Sequence, residues 1–320
     1  MIESAGPLLG EAGHEAARAW RVYVYFRNPH HLLPSVWPGH QWMVQLMLAT
    51  SLFLATWLIA RSQALRFLAA YALAGVALFA VGLGLYATGN TMLLRFYVFR
   101  FPDVMVPFLS LLLLAGIVNQ FMEGRLGLPG VTAERALRLR AVATRSAPIL
   151  AAAVLLLALL HAVRTIAAGT PDNSRAAAAA PALAWIAAHT PTQAVFLVDP
   201  TMPTFYTTAR RAMFVSFKHV PQTPAAILEW YRRITLANNG EPQQAGFAAQ
   251  DEISGNFQRL AADQVLALAR SYDLAYCLRP TQYPLPLPIV YADRAFTLYQ
   301  LGAVRLSTGI APTAAPGPTR

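Results

Sequence analysis

Lysine is almost missing from this chain, with Lys218 the only one, so its positive charge is carried by arginine. Cysteine is as scarce. Cys277 stands alone, which excludes an intramolecular disulfide and a cysteine metal cluster. It lies in Leu274-Ala-Tyr-Cys-Leu278, a run that reads as a buried strand with a structural thiol. Charged residues of both signs reach only 12%, against 56% hydrophobic residues and a mean hydropathy of +0.42, which excludes an ordinary soluble protein. Phosphate-binding glycine loops, dinucleotide-binding glycine patterns, zinc-protease helices and nucleophile elbows are all missing. Residues 1–20 are Ala- and Glu-rich without a basic head and apolar core, so no signal peptide is visible, and there is no fixed-period repeat.

What is present is a set of four apolar runs, Met43–Ala60, Phe67–Thr88, Pro102–Met122 and Pro148–Ile166, each about long enough to cross a bilayer. The loops between them differ sharply in arginine. Arg61 and Arg66 separate runs one and two, whereas Arg125, Arg135, Arg138, Arg140 and Arg145 separate runs three and four. The turn Gly89-Asn90-Thr91 carries no charge. The positive-inside rule puts the two Arg-bearing loops in the cytoplasm, and the N-terminal segment, the uncharged turn and everything after Ile166 on the outer face. The +10 net charge is thereby spent largely on orientation, and nucleic acid is not an expected partner. Gly82-Leu-Gly84 falls inside a span and reads as a helix-packing feature.

The expected fold class is a membrane all-α bundle of about four transmembrane helices followed by a C-terminal extracytoplasmic α/β domain. Residues 1–42 form an outer lead-in that contains an Arg-Asn-Pro-His-His loop. Residues 43–166 form the bundle, with cytoplasmic loop 123–146. Residues 172–306 form the outer domain, and 307–320 a disordered Pro/Ala/Thr-rich tail. Within the outer domain the pattern predicts helices over 176–189, 224–235 and 256–271, and strands over 194–198, 211–217 and 274–278. A hairpin of 289–291 and 296–301 turns at Asp293-Arg294. Thr223-Pro224 gives one helix a cap followed by proline at its first position.

Three clusters could carry chemistry. Arg27-Asn-Pro-His30-His31-Leu-Leu-Pro34 places two imidazoles and a guanidinium where the chain enters the membrane. Imidazoles can ligate metal or move protons and Arg27 can hold a phosphate, or the loop is only a re-entry turn bonded to backbone. Arg95 and Arg100 lie in the aromatic run 92–101 at the outer end of span three. They can hold an anionic lipid headgroup, or snorkel, with Arg100 paired to Asp103. Arg211, Lys218, Glu229 and Arg233 connect a strand end to the next helix, as a ligand site or as an ionic network knitting the two together. No cofactor is read from the sequence, and a divalent metal has no ligand pattern behind it.

Arg27-x-Pro-His-His with Lys218-His-Val-Pro221 and Glu229-Trp-Tyr-Arg-Arg233 resembles a family of bacterial polytopic inner-membrane proteins of unknown function. That family is similar to the C-type glycosyltransferases, which use polyprenyl-phosphate sugars outside the cytoplasmic membrane. Trp185, the run Thr190–Val198, Arg211 and Pro221 extend the resemblance, which covers most of residues 25–300. It implies a polyprenyl-phosphate-sugar donor, with Arg95 and Arg100 on the carrier phosphate and His30, His31 and Lys218 lining the cleft. C-type enzymes carry their catalytic acid in an early outer loop. Here only Glu3, Glu11 and Glu15 precede span one, in a plain Ala/Gly tail, so no catalytic acid is identifiable. The chain then corresponds to the C-terminal half of such a protein, truncated or completed by an N-terminal partner subunit. The alternative is a non-catalytic scaffold or binding protein; membrane lipids are partners either way.

Overall fold

Helices rich in Leu and Ala dominate the first half of the protein, because small and straight-chain apolar residues favour the helix. The computed structural model describes residues 11–37, 41–60, 62–125, 132–168, 171–202 and 204–302. The chain opens with α1 (Glu11–Arg21), a π-helical turn (Val22–Arg27), α2 (Pro29–Leu32) and a 3-10 turn (Pro34–Val36). Next come α3 (Gln41–Ile59), α4 (Gln63–Ala87), α5 (Thr91–Leu94), α6 (Arg100–Met122) and α7 (Ala133–Ala168). The expected loop around His30 and His31 is thus helical, since Pro29 at a helix N1 position is pre-set for that turn. The expected tail 307–320 and the Arg61 side of its loop lie outside the described residues.

Helices α3, α4 and α6 pack on one another around Ala49, Phe53, Ala69, Ala72, Leu109 and Leu113. Gly82 of α4 is required there: a β-carbon would stand 2.7 Å from a Phe99 ring carbon. Two stretches, Gln63–Ala87 and Met105–Met122, are long and apolar enough to cross a membrane, with mean hydropathy 2.1 and 1.8. Only 28% and 22% of them is buried within the chain. Their exposed side chains include Phe67, Tyr71, Val81, Leu111 and Val118. Helix α3 adds the shorter apolar stretch Trp42–Leu58, with Met47, Leu48 and Leu58 exposed. The four expected spans therefore reduce to two that satisfy length and composition among the described residues.

The second half is a small mixed sheet with helices. Helix α8 (Pro171–His189) leads to β1 (Val195–Leu197), α9 (Phe205–Thr208) and β2 (Ala212–Met213). Helices α10 (Pro224–Ala237), α11 (Ala248–Phe257) and α12 (Ala262–Tyr272) precede β3 (Tyr276–Pro280), β4 (Ile289–Ala292) and β5 (Phe296–Gln300). The order is β2-β1-β3-β5-β4: β1 is parallel to β2 and β3, and β5 is antiparallel to β3 and β4. The core gathers Ala182, Leu183, Ile186, Phe196, Val198, Phe205, Leu278 and Leu298. The helix expected over 256–271 begins later, at Ala262, after the separate helix α11 has ended at Phe257. Gln264 turns back to accept from the Ala261 backbone N–H and starts α12 afresh.

The chain divides into two compact units that do not follow its order. The first comprises Met1–Thr170 together with Pro221–Glu229 and Gln244–Ala249; the second holds Pro171–Val220, Trp230–Gln243 and Gln250–Arg320. The outer domain expected as one continuous stretch from 172 to 306 is thus interrupted twice.

Candidate functional site

The first unit carries a groove of about 760 Å³. Its polar end is made by His30, His31 and Arg100, and its middle by Trp37, Trp42, Phe79 and Phe99. Gln45, Leu46, Leu48, Ala49 and Leu52 of α3 continue the wall, opposite Val106, Pro107 and Ser110 of α6. From Arg100 to Ser110 the helix advances about 15 Å, at 1.5 Å per residue. The result is a long apolar trough with a cationic and imidazole head.

The local sequence builds this head. The Asn28 amide donates to the Tyr23 carbonyl at 3.2 Å, which ends the π-helical turn and launches the two histidines on α2. The Trp37 indole N–H donates to the His30 carbonyl at 3.0 Å. Trp37 also meets the Trp42 and Phe99 rings edge-on at 5.5 and 5.4 Å, so an aromatic collar surrounds the head. Arg100 Nη1 lies 3.1 Å from His31 Nδ1. A guanidinium only donates, so in this contact His31 Nδ1 is the acceptor.

His30 is held neutral by its surroundings. Burial, then the nearby charges of His31, Arg27 and Arg100, push its pKa down to about 4. Its Nδ1 is buried without a hydrogen-bond partner among the described residues. The two imidazole rings are 4.1 Å apart, and His31 continues to the Tyr97 ring at 5.9 Å. Tyr97 has a left-handed backbone, φ 58, costly for an aromatic residue. That conformation brings its hydroxyl to the Tyr23 hydroxyl at 3.1 Å. Burial raises the Tyr97 phenol pKa and lowers that of the neighbouring Arg27 guanidinium. The ring series runs on through Tyr23 to Trp20, each step 6.4 Å.

Arg95 lies at the far end of that series. Its guanidinium sits 3.8 Å over the Trp20 ring, with Nε buried and unpartnered among the described residues. It does not line the groove, so the expected Arg95–Arg100 clamp separates into a groove arginine and a stacked one. The side chain of Asp103, the expected partner of Arg100, lies outside those described.

The second unit holds Arg211, Lys218 and Arg233. Arg211 is buried and uses all five of its N–H groups. Nε donates to Thr190 Oγ1; Nη1 donates to the Ala209 and Arg210 carbonyls; Nη2 donates to those of Ala187 and Thr190. It closes the C-terminal carbonyls of α8 and has no donor left for a ligand, which corrects the ligand reading in favour of the structural one. Arg233 bonds the Phe214 carbonyl at 3.2 Å and stacks near Phe214 and Tyr272. Lys218 is exposed beside His219, whose Nδ1 is 3.0 Å from Ser216 Oγ. Glu229 belongs to the first unit by way of the Pro221–Glu229 segment.

Sequence reasoning did not anticipate the aromatic collar, because Trp37, Phe79 and Phe99 are far apart in the chain. Nor did it anticipate a buried cluster at the end of β1. Asp199 pairs there with Arg175 and accepts from Ser254 Oγ at 2.6 Å and from the Thr201 backbone and hydroxyl at 2.8 Å. A carboxylate satisfied on so many sides is structural. The dipeptide Asp199-Pro200 at a strand end was its only sequence trace.

A family model described as a domain of unknown function (DUF6798) matches residues 177–237. Arg211, Lys218, Glu229 and Arg233 fall inside that stretch; Arg27, His30, His31, Arg95 and Arg100 fall outside it. No curated protein and no solved structure matches the chain.

Proposed function

We propose that this chain is an integral membrane protein of the bacterial cytoplasmic membrane that binds an anionic polyprenyl lipid in the α3–α4–α6 groove, as part of a C-type glycosyltransferase-like system. The observation that carries the reading is the groove's composition. An apolar trough suits a hydrocarbon chain, and Arg100 with two imidazoles at one end suits a phosphate. The exposed apolar faces of α3, α4 and α6 supply the lipid-facing surface. A polyprenyl phosphate, free or sugar-loaded, has the required shape.

In this reading α3 and α7 complete four spans. The arginine loops face the cytoplasm, and both termini and the second unit face outward. Single cysteines at Ser62 and Thr132 are then shielded from an impermeant thiol reagent in intact cells, while one at Thr192 reacts. Labelling at Ser62 in intact cells overturns the orientation.

Binding itself is tested with the wild-type protein in nanodiscs by native mass spectrometry. A polyprenyl phosphate is retained in preference to the neutral polyprenol of equal length. Equal retention of the two, or of neither, removes the proposal.

A second reading is favoured by one observation: among the described residues that line the groove there is no Asp or Glu. The chain then binds the carrier lipid without transferring its sugar, and the catalytic acid belongs to an N-terminal partner subunit. Sugar transfer by the purified chain alone would exclude this version.

A further inference from the structure

The segment Gln244–Ala249 belongs to the first unit although its flanks belong to the second. It meets the polar head of the groove at three points. The Gly246 N–H donates to the Phe26 carbonyl at 2.7 Å, taking up a backbone acceptor at the end of the π-helical turn. Gly246 has φ +60, and a β-carbon there would stand 3.1 Å from Pro29 Cγ and 3.4 Å from His30 Nδ1. Only glycine gives both that backbone and that approach. The next residue, Phe247, lays its ring 4.1 Å from the His30 ring centroid, with His31 4.1 Å away in turn.

Phe247 is 65% exposed. An exposed phenylalanine on a polar segment gains little from burial where it stands; its specific contact is the imidazole face. Glycine places the strap, and the ring acts on His30.

We propose that Phe247 is a positioning residue of the groove: with Gly246 it presses the His30 imidazole against His31 and so fixes the polar end that receives the lipid headgroup. This rests on the lipid-binding reading above. The groups facing His30 are His31, Arg27 and Arg100 from the first part of the chain, with the Trp37 indole on its carbonyl. The strap itself brings no charge to the ring, only a glycine backbone and an aromatic face. Its effect is therefore steric and desolvating. It holds His30 dry and still, leaving Arg100 to carry the charge.

The test compares wild type, Phe247→Ala, Phe247→Tyr and Gly246→Ala in nanodiscs, with polyprenyl phosphate binding and the NMR titration of the His30 ring as readouts. Phe247→Ala is expected to weaken binding about 2- to 10-fold, the range for losing one aromatic contact. Its His30 titration moves from about 4 towards the ordinary histidine value of 6.5 as water reaches the ring. Phe247→Tyr restores both readouts, and Gly246→Ala behaves like Phe247→Ala. If wild type binds the lipid and Phe247→Ala binds it equally, or leaves the His30 titration in place, the positioning role is wrong and the lipid reading stands. If wild type fails to bind, the lipid reading itself has failed.

Discussion

Arg100→Ala weakens polyprenyl phosphate binding by about 1.5–3 kcal/mol, roughly 10- to 150-fold, the cost of a lost charged hydrogen bond. Arg95→Ala leaves binding within about twofold, because its guanidinium lies over Trp20 and outside the groove. The two arginines are five residues apart in one aromatic run, so general charge attraction to an anionic bilayer would penalise both losses alike. Unequal loss identifies a site; equal loss identifies surface electrostatics. Arg138→Ala serves as the control, since Arg138 pairs with Glu134 on an exposed helix face and touches neither cluster. Titration of the lipid into nanodiscs holding each variant decides the matter. A full-strength Arg100→Ala complex would sink the assignment of the groove's head.

Arg211→Ala is expected to destabilise the second unit by on the order of 3 kcal/mol, because four carbonyls and one hydroxyl lose their donor in a buried setting. The C-terminal turn of α8 loses its closure, and its join to β2 loosens. For a domain of this size the melting temperature drops by about 10 °C. Arg211→Lys recovers less than half of that, since an ammonium has three donors and no planar fork. Differential scanning calorimetry of the full chain in detergent separates the outcomes. An unchanged melting temperature for Arg211→Ala would return that guanidinium to the pool of ligand-binding groups.

Much of the secondary structure was legible because it rests on local rules. Thr223-Pro224 does begin a helix, at Pro224, and Ala194–Val198 contains β1, Val195–Leu197. The turn at Asp293 is visible in advance because its carboxylate accepts from the Ala295 and Phe296 backbones at 2.7 Å, a habit of aspartate in tight turns. The apolar runs of α4 and α6 announce themselves by composition alone. What was not legible is tertiary. An arginine reads as surface charge, and only the carbonyls it reaches, at the end of α8 and just before β2, show that Arg211 is interior. Arg95 and Arg100 look like a pair in sequence, but the left-handed backbone at Tyr97 redirects the chain between them. Nothing in Gln244-Ala-Gly-Phe247 distinguishes it from a surface loop, because its partners were set down more than half the chain earlier.

That separation fixes an order of events during synthesis. The histidines of α2 leave the ribosome early, and the three helices that wall the trough follow soon after. Gly246 and Phe247 emerge only when most of the chain exists. At roughly 5–20 residues per second the interval is about 10–40 s. Throughout that time His30 has no cover on its outer face and the carbonyl of Phe26 has no donor from the strap. On the lipid-binding reading proposed above, the head of the groove is complete only then, with the closing of a single glycine turn.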